Sequence, residues 1–270
     1  PVAARQWNGF TGRLPAVLAT LDRERVNYRI PDVLGLEGDH LILGDSAVVT
    51  LTPVASGTIR FTLDGSLPTG ASAAYTGPIP LALSAAGTTV SARLERPDGR
   101  LGSIRRAVWR KAVYLDASRL DASELTSGLN YQFAPGRADS VGGVARLNVT
   151  RRSTVPDVRL MGDEAGDRWG VSLDGWIFVP ADAIYEFSLS SDDGSLLWID
   201  DQRVVDNDGY HAAEPKQGMV PLRRGLHRIK VVVFQGGGAA SLSLGWRREG
   251  DQEFRPVPGS ALFRSQEGGR

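Results

Sequence analysis

The sequence predicts a mainly β protein in which one N-terminal helix is followed by a small and then a larger β-sandwich. Near the start of the chain, apolar residues recur at the spacing of one helix face: Leu14, Val17, Leu18 and Leu21. From residue 39 onward, short runs of alternating apolar and polar residues are separated by clusters of Pro, Gly, Ser and Asp. Such alternation is typical of strands that bury one face, so we expect packed sheets over the rest of the chain.

The composition limits the classes of partner that suit this chain. Its 270 residues, 41% of them hydrophobic, suffice for one large domain or two ordinary ones. Lysine plus arginine number 31, as do aspartate plus glutamate, so the net charge of zero disfavours nucleic acid and anionic membranes as partners. Cysteine is absent, which excludes a disulfide framework and a thiolate metal site. With no leader and no apolar run near the length of a membrane span, we expect a soluble fragment or mature chain.

The first two predicted segments are the helix with its tail and the small sandwich. Residues 1–38 are expected to form the helix and an extended exit, and the helix must pack its apolar face on a neighbour because it cannot bury that face alone. Residues 39–112 are predicted to form the small sandwich. The "TIRFTLDGS" run has a turn signal at Asp64-Gly65. Its predicted inward residues are Ile59, Phe61 and Leu63.

The last two predicted segments are a linker, residues 113–127, and the larger sandwich, residues 128–266. Runs such as "AIYEFSLSS" and "GLHRIKVVVFQ" place an apolar residue at every second position, as strands of a sandwich do. The tryptophans within such strand patterns are expected in the core. These are Trp169, Trp176 and Trp246.

The stretch "LSSDDGSLLWID", residues 189–200, contains the candidate site. We expect a β-hairpin here with Asp193 and Gly194 at its turn, although a turn needs only one Asp before its Gly. Neighbouring side chains of an extended segment point to opposite faces, so Asp192 and Asp193 would not ordinarily meet. The second carboxylate is therefore either a functional group or a solvated or backbone-bonded turn residue.

Three parts of the sequence resemble known families. The C-terminal half resembles the protective-antigen-type β-sandwich module of bacterial toxins, yeast adhesins and many glycosidases, on the stretches "GLNYQF", "GWIFVPADAIYEFSLSSDDGSLLWIDDQRVVDNDG", "VPLRRGLHRIKVVVFQGGGAASLSLGW" and "RPVPGSALF". The region "IRFTLDGSLPTGASAAYTGPIPL" resembles the small immunoglobulin-like domain at the C-terminus of chitobiases and β-hexosaminidases. The opening "RLPAVLATLDRERVNYRIPD" resembles the last helix and exit strand of a β-N-acetylhexosaminidase catalytic barrel. The expected architecture is thus an immunoglobulin-like sandwich followed by a protective-antigen-type one.

The resemblance implies a calcium-dependent sugar site. In sugar-binding members of the protective-antigen-type module, a cis peptide joins an Asp-Asp pair, and both carboxylates hold one calcium ion that also binds two sugar hydroxyls. The matching positions here are Asp192 and Asp193. The next ligand of the family is an Asn in a later loop; the matching loop "FQGGGAAS" has no Asn, and Gln235 is the expected substitute. Calcium suits such a site because it accepts about six to eight oxygen ligands in flexible geometry.

Three further residues are candidates for contact with the sugar. Trp198 lies on the strand face opposite to its apolar neighbours, so it could stack on a sugar ring or pack on a neighbouring loop. Tyr210 and His211 follow "DNDG" and are expected at the rim of the same pocket. The "DNDG" segment, residues 206–209, is itself expected to form a turn with side-chain-to-backbone hydrogen bonds.

Two functions remain open for the chain. The resemblance implies the non-catalytic C-terminal region of a periplasmic or secreted β-N-acetylhexosaminidase, with a site for calcium and for a glycan that contains N-acetylhexosamine. The alternative is a structural or protein-interaction spacer that braces the catalytic barrel in cis without binding sugar. We do not expect an enzyme, because glycosidase carboxylates stand roughly 5 to 9.5 Å apart across the scissile bond, whereas Asp192 and Asp193 are expected to converge on one ion.

Overall fold

The computed structural model describes residues 2–120, 122–162, 164 and 166–265, and the chain divides into two compact units. The first unit is Pro1–Val113 and the second is Tyr114–Arg270. Strands predominate in both units, which confirms the predicted mainly β fold. Among the described residues, no helix is long and apolar enough to cross a membrane.

The first unit contains one helix and two sheets. Its elements are α1 Val2–Arg23, β1 His40–Ile42, β2 Ser46–Val49, β3 Thr58–Thr62, β4 Ala73–Ala74, β5 Ile79–Ala82, β6 Thr88–Glu95 and β7 Arg105–Lys111. The larger sheet has the order β1-β7-β6-β3-β4, and β2 pairs with β5 to form the second sheet. The core between them includes the inward side of β6, with Val90, Ala92 and Leu94 almost fully buried.

The helix α1 packs on this core, as the sequence predicts, with one exception. Leu18 is buried in the core, and Leu14 and Leu21 pack against it. Val17, however, is 52% exposed, because it lies at the edge of the apolar face rather than at its centre. In β3, Ile59 is buried as predicted.

The turn after β3 confirms one prediction and corrects another. The Asp64 carboxylate accepts a hydrogen bond from the Ser66 backbone N–H at 3.0 Å, and Gly65 adopts a φ of 78°. Leu63 was expected to face inward, but it is 39% exposed because β3 has already ended at Thr62 and the alternation stops with it.

A polar cluster also fixes α1 to the first unit. The carboxylate of Asp22, near the end of α1, accepts hydrogen bonds from the Tyr28 hydroxyl and from Arg100, each at 2.6 Å. Asp22 also pairs with Arg96, whose buried guanidinium bonds the Ser56 carbonyl oxygen. The pKa of Asp22 is lowered, first by the hydrogen bond from Tyr28 and then by the two arginines, with burial opposing them. The predicted barrel-like helix is therefore an integral part of the first unit.

The second unit is a sandwich of an eight-stranded and a four-stranded sheet. Its strands are β8 Leu125–Ser127, β9 Leu129–Pro135, β10 Arg151–Val155, β11 Trp169–Val179, β12 Ala183–Asp192, β13 Ser195–Ile199, β14 Gln202–Asn207, β15 Glu214–Leu222, β16 Gly225–Gln235, β17 Ser241–Arg248, β18 Arg255–Pro256 and β19 Leu262–Ser265. Short helices occur at Ala122–Glu124, at Val141–Val144 (α2) and at Gly259–Ala261.

The two sheets of the second unit enclose one core. The path β10-β9-β11-β16-β13-β14 forms most of the larger sheet, and β19 joins it by pairing with β11 and β8. The smaller sheet has the order β15-β12-β17-β18. Alternate residues of each strand point between the sheets, including Phe187 and Leu189 from β12 and Val231 and Val233 from β16, all fully buried. This alternation confirms the predicted packing of the larger sandwich.

Two expectations for this unit need correction. Part of the predicted linker, residues 113–127, belongs to the sandwich: β8 pairs with β19, and the Leu115 N–H bonds the Pro221 carbonyl oxygen at 2.9 Å. A three-residue strand is too short to leave a periodic signal in the sequence. Trp169 is buried and Trp246 packs against the core as expected, but Trp176 is only half-buried on the outer face of β11.

Candidate functional site

The "SDDGS" segment joins the two sheets of the second unit. β12 ends at Asp192 and pairs with β15 and β17, whereas β13 begins at Ser195 and pairs with β14 and β16. The predicted hairpin is therefore wrong, because the chain passes from one sheet to the other here. Gly194 is required by space rather than by a positive φ: a Cβ there would lie 2.6 Å from the Gly209 nitrogen and 2.6 Å from a Phe234 ring carbon.

Asp193 is buried and bonded on both carboxylate oxygens. The Asp192–Asp193 peptide bond is cis, and Asp193 is 7% exposed. Its Oδ1 accepts a hydrogen bond from the His211 backbone N–H at 3.2 Å, and its Oδ2 accepts one from the Gly236 N–H at 2.8 Å. Each oxygen keeps lone-pair capacity for a further partner, since an ionised carboxylate offers about four acceptor sites.

Asp192 contrasts with its neighbour because its carboxylate has no hydrogen-bond partner among the described residues. It is half-buried at the end of β12, opposite Ser241 of β17. Neither Asp192 nor Asp193 forms an ion pair with a described lysine or arginine side chain. We call these two residues, with the 235–241 loop beside them, the paired-aspartate site. Two described basic side chains lie near the site without forming an ion pair with the aspartates: Arg168 Nε donates to the Gly236 carbonyl oxygen at 3.4 Å, and the His211 ring is close enough to be affected by the Asp193 charge.

Gln235 holds this site together from beneath. It is 1% exposed, and its Oε1 accepts the Asp193 backbone N–H at 3.1 Å. Its Nε2 donates to the carbonyl oxygens of Gly238 at 3.2 Å and Ala239 at 2.7 Å. The position of Gln235 beside the pair agrees with the sequence expectation, but its amide joins Asp193 to the 235–241 loop. The geometry favours a bracing role over that of a direct ligand.

His211 lies at the site through its backbone. Its N–H donates to Asp193, while its ring nitrogens face carbonyl oxygens: Nε2 lies 2.9 Å from that of Asn207 and Nδ1 lies 3.0 Å from that of Ala212. Burial lowers the pKa of His211, but the hydrogen bonds to the two carbonyl groups, aided by the nearby Glu214 and Asp193 charges, outweigh it and raise the pKa overall. The ring therefore fixes the loop and does not itself contact the carboxylates.

Tyr210 forms the adjacent surface. It is 56% exposed, its hydroxyl donates to Asp139, and its ring meets that of Phe234 edge-on with centroids 5.3 Å apart. The ring covers Gly236, whose added Cβ would lie 2.1 Å from a Tyr210 ring carbon. The expectation that Tyr210 stands at the rim of the pocket agrees with this exposed position beside the loop.

A buried polar network supports the crossing and was not predicted. The Ser191 and Ser195 hydroxyls lie 2.7 Å apart, on either side of the Asp-Asp-Gly segment. Asn207 donates from Nδ2 to the Ser191 hydroxyl at 3.3 Å and to the Glu214 carbonyl oxygen at 3.1 Å. The two serines that flank Asp-Asp-Gly in "SDDGS" are the sequence feature from which this contact could have been predicted. The network fixes the ends of both strands on either side of the carboxylates.

The "DNDG" turn is structural, as predicted. Asp206 Oδ1 accepts the Asp208 N–H at 3.2 Å, and Asp208 Oδ1 accepts the Gly209 N–H at 2.9 Å. Asp208 also accepts the Val141 N–H at 2.8 Å and so bonds the first turn of α2. These contacts place the turn beneath Tyr210 and His211 and use its carboxylates for folding.

Trp198 does not belong to the paired-aspartate site. It lies within β13, three residues and therefore about 10 Å beyond Ser195, with its ring on the outer face of the larger sheet. The groove that Trp198 lines contains neither aspartate of the pair among its described residues. The prediction that it stands opposite its apolar neighbours is confirmed, since Leu197 and Ile199 enter the core. The prediction that it shares the pocket is wrong.

A cavity of about 560 Å³ opens next to the paired-aspartate site. The 235–241 loop forms one wall, and described residues between Arg159 and Trp169 form the other. Ser241, the register partner of Asp192, lines it together with Gln235 and Gly238. Neither Asp192 nor Asp193 is among the described residues that line this cavity, so the 235–241 loop is what connects the cavity with the paired-aspartate site.

The acidic groups of the paired-aspartate site are two carboxylates. Within the described residues, no group of three or more His, Cys, Asp or Glu side chains could hold a metal ion. The carbonyl oxygens of Gly236, Gly238 and Ala239 in the adjacent loop already accept hydrogen bonds from Arg168 and Gln235. Calcium accepts such all-oxygen surroundings, whereas zinc prefers nitrogen and sulfur ligands.

Comparison with known proteins separates two domain families along the chain. Residues 156–259 match the PA14 domain, and residues 43–103 match the chitobiase/beta-hexosaminidase C-terminal domain. The two matches occur in the order that the sequence predicts, and Asp192 and Asp193 lie within the stretch that matches the PA14 domain. A curated beta-hexosaminidase of Porphyromonas gingivalis (strain ATCC BAA-308 / W83) is 26% identical over 97% of this chain. The chain spans 35% of the length of that relative.

Solved structures with PA14-type folds also align with the chain. The PA14 sugar-binding domain from an RTX adhesin is 17% identical, covers 52% of this chain and 99% of its own, and gives a TM-score of 0.46. The epithelial adhesin 9 A domain of Candida glabrata, solved with Galb1-3GlcNAc, is 10% identical, covers 59% of this chain and 99% of its own, and gives a TM-score of 0.47.

Proposed function

We propose that the second unit binds a glycan through a calcium ion held by Asp192 and Asp193. The observation that carries the proposal is the position of two adjacent aspartates, neither in an ion pair with a described lysine or arginine side chain, beside the loop that forms one wall of an open cavity. Like charges so close repel each other, and a divalent cation relieves this repulsion more completely than solvent does. The PA14 match of this region supports the proposal, because the resemblance implies such a site at these two positions.

In this proposal the chain's own residues divide into ligands and supports. Asp192 and Asp193 supply the charged oxygens, and neutral oxygens of the 235–241 loop and of the sugar complete the coordination. The ion would supply a charged anchor for sugar hydroxyls. Gln235, His211 and the Ser191–Ser195 pair act as positioning residues because they hold Asp193 and the loop in place.

We further propose that the whole chain is the non-catalytic C-terminal region of a periplasmic or secreted β-N-acetylhexosaminidase. The order of the two matched domains and the beta-hexosaminidase relative support this. The glycan would then contain N-acetylhexosamine, and binding would keep the parent enzyme close to its substrate. The spacer alternative is favoured by one observation: the amide oxygen of Gln235 is already bonded to the Asp193 N–H and is not directed outward.

Calcium titration tests the site directly. Isothermal titration calorimetry of the full chain with calcium should show binding, and thermal unfolding should occur at a higher temperature in calcium than in EDTA. At a calcium concentration of about 100 times Kd, the stabilisation expected from mass action is roughly 2.7 kcal/mol. Asp192→Asn should abolish both signals, since its carboxylate has no folding partner whose loss would confuse the result.

The chain offers a matched control in its second aspartate pair. Asp201→Asn changes an exposed carboxylate of the same unit and should leave the calcium response intact. If the parent protein gives no calcium heat and unfolds at the same temperature in EDTA, the calcium site is overturned; the spacer alternative requires in addition that the chain bind no glycan. A calcium response that persists in Asp192→Asn would assign the ion to another place.

A further inference from the structure

A second groove lies on the outer face of the larger sheet, apart from the paired-aspartate site. It crosses β9, β11, β16 and β13 and has a volume of about 350 Å³. Its lining combines aromatic, amide and charged side chains, and none of its described lining residues belongs to the paired-aspartate site. We call it the outer-face groove. The domain matches assign it no role, and of its lining residues the sequence analysis assigns only Trp198 to contact with a sugar.

Two half-buried tryptophans provide flat surfaces in this groove. Trp176 of β11 lies directly opposite Arg228 of β16, and Trp198 of β13 lies directly opposite Lys230. The two rings are separated by two strand spacings and two residues, a diagonal of about 12 Å. Each has the neighbouring cation over it, at 5.7 Å from the ring centroid in both cases. These exposed cations are attached to long side chains, so they can move from the rings to the hydroxyls of a ligand.

The polar groups of the groove are suited to a neutral ligand. Asn130, Asp174 and Lys230 form a cross-strand row that ends at Trp198, and Asn130 Nδ2 donates to Asp174 Oδ2 at 3.0 Å. The charged residues along the lining balance, with two acidic and two basic. They are Asp174, Asp201, Arg228 and Lys230. Nucleic acid needs a net positive surface, and an extended peptide needs a sheet edge rather than a face, so neither suits this groove.

An apolar recess continues the outer-face groove towards α2. Its volume is about 390 Å³, and Trp198 and Lys230 line both parts. The apolar side chains of the recess come from α2, from the loop that follows it and from the strands beneath it. They include Val141, Val144, Leu147, Leu196 and Val232. A ligand ring stacked on Trp198 would therefore contact hydrogen-bonding groups on one side and apolar surface on the other.

We propose that the outer-face groove binds a neutral N-acetylated oligosaccharide. Sugar rings stack on Trp176 and Trp198, hydroxyls bond Asp174, Asn130 and Lys230, and the methyl of an acetamido group enters the apolar recess. Flat aromatic surfaces combined with a few convergent polar groups are the usual composition of a small-ligand site. Binding here requires no metal ion, so the groove is independent of the proposed calcium site.

Calorimetry in EDTA separates this groove from the paired-aspartate site. Chitotetraose titrated into the full chain in EDTA should bind, and Trp176→Ala and Trp198→Ala should each weaken binding at least tenfold. Phe178→Ala is the matched control, because Phe178 lies two residues from Trp176 on the same face of β11 and outside the groove. It should bind like the parent protein. Cellotetraose, which lacks acetamido groups, should bind at least fivefold more weakly.

The contrary outcomes are distinct from those of the calcium test. No heat with chitotetraose in EDTA, or unchanged affinity in Trp176→Ala, would overturn the groove proposal whatever calcium does at Asp192. Equal affinity for cellotetraose would overturn the assignment of an N-acetylated ligand. Trp198 also packs against the apolar cluster under α2, so circular dichroism must show that Trp198→Ala is folded; if it is not, Trp176→Ala decides.

Discussion

Two consecutive aspartate pairs flank β13, and the structure uses them in opposite ways. Asp192–Asp193 precedes the strand at the crossing between sheets, and its only described hydrogen bonds to the carboxylates come from backbone N–H groups. Asp200–Asp201 follows the strand in the turn to β14, where both residues adopt positive φ. The Asp200 carboxylate there bonds the His227 ring and the Arg228 N–H, and Asp201 is exposed. Identical dipeptides therefore differ in their surroundings: Asp200 contacts the His227 ring, whereas the carboxylates of Asp192 and Asp193 accept no hydrogen bond from a described side chain.

Removing the Asp200 carboxylate, which contacts the His227 ring, should have the largest effect on stability. Asp200→Ala would leave the fully buried His227 ring without its Nδ1 partner. Breaking a fully buried pair costs about 3 to 5 kcal/mol, and because the Asp200 side chain is 24% exposed we expect a loss near the lower end of that range in urea unfolding at pH 6. Asp200→Asn, which keeps an acceptor but no charge, should lose less. Equal stability of Asp200→Ala and the parent protein would show that the pair contributes nothing.

Adding a Cβ at Gly194, next to Asp193, should have the next largest effect on stability. The Cβ of Gly194→Ala would lie 2.7 Å from the Gly209 carbonyl oxygen, and overpacking of this kind costs about 1 to 3 kcal/mol. Because the displaced backbone carries Asp193, the variant should also lose its calcium response in calorimetry. Gly142→Ala is the control, since its nearest neighbour, the Ser140 hydroxyl oxygen, lies 3.8 Å away. Retained calcium binding in Gly194→Ala would contradict the close packing at the crossing.

The pH dependence of stability should distinguish the two pairs further. Burial lowers the pKa of His227, but hydrogen bonds to Asp200 and to the Arg223 carbonyl group raise it above its usual 6.5 overall. A raised folded-state pKa means that this stabilisation is complete below about pH 6.5 and is lost as the pH rises through the folded-state pKa. The decline should not exceed about 1.4 kcal/mol per pH unit. Urea unfolding across this range should show a flatter profile for His227→Gln, and an unaltered profile would count against the pair.

The smallest effect is expected at Asp201. Its carboxylate is exposed, so Asp201→Asn should change the free energy of unfolding by no more than about 0.5 kcal/mol. Urea unfolding beside Asp200→Ala provides the measurement. A larger loss would mean that the exposed member of this pair has a structural role that its surroundings do not indicate.

The sequence was sufficient for the architecture and for the location of the paired-aspartate site. The alternation in β12 and β16 identifies the inward residues because each strand buries one face. The alternation could not distinguish a hairpin from a crossing between sheets, since the strand with which another strand pairs is set by contacts distant along the chain. The same limit applies to Trp176. Alternation identifies the two faces of a strand, but because residue 175 is a glycine the sequence did not show which face Trp176 occupies.

The surroundings of the site were harder to predict than its carboxylates. Gln235 was predicted at the site from the order of segments, but its bonds to Gly238 and Ala239 depend on a glycine-rich loop without periodicity. Trp198 was assigned to the wrong pocket because its exposed face is evident from the strand, whereas its distance from Asp193 depends on the length of β13.

The crossing between sheets also determines when the site can form. Asp193 meets His211, 18 residues later, and Gly236, 43 residues later, so its bonds close long loops. Contacts of this sequence separation form only after much chain entropy has been lost, which is characteristic of late steps in folding. Strands from both sheets must already be paired before the three segments meet. Calcium binding during refolding should therefore report completion of the whole sandwich, and it should lag behind the gain of β-structure.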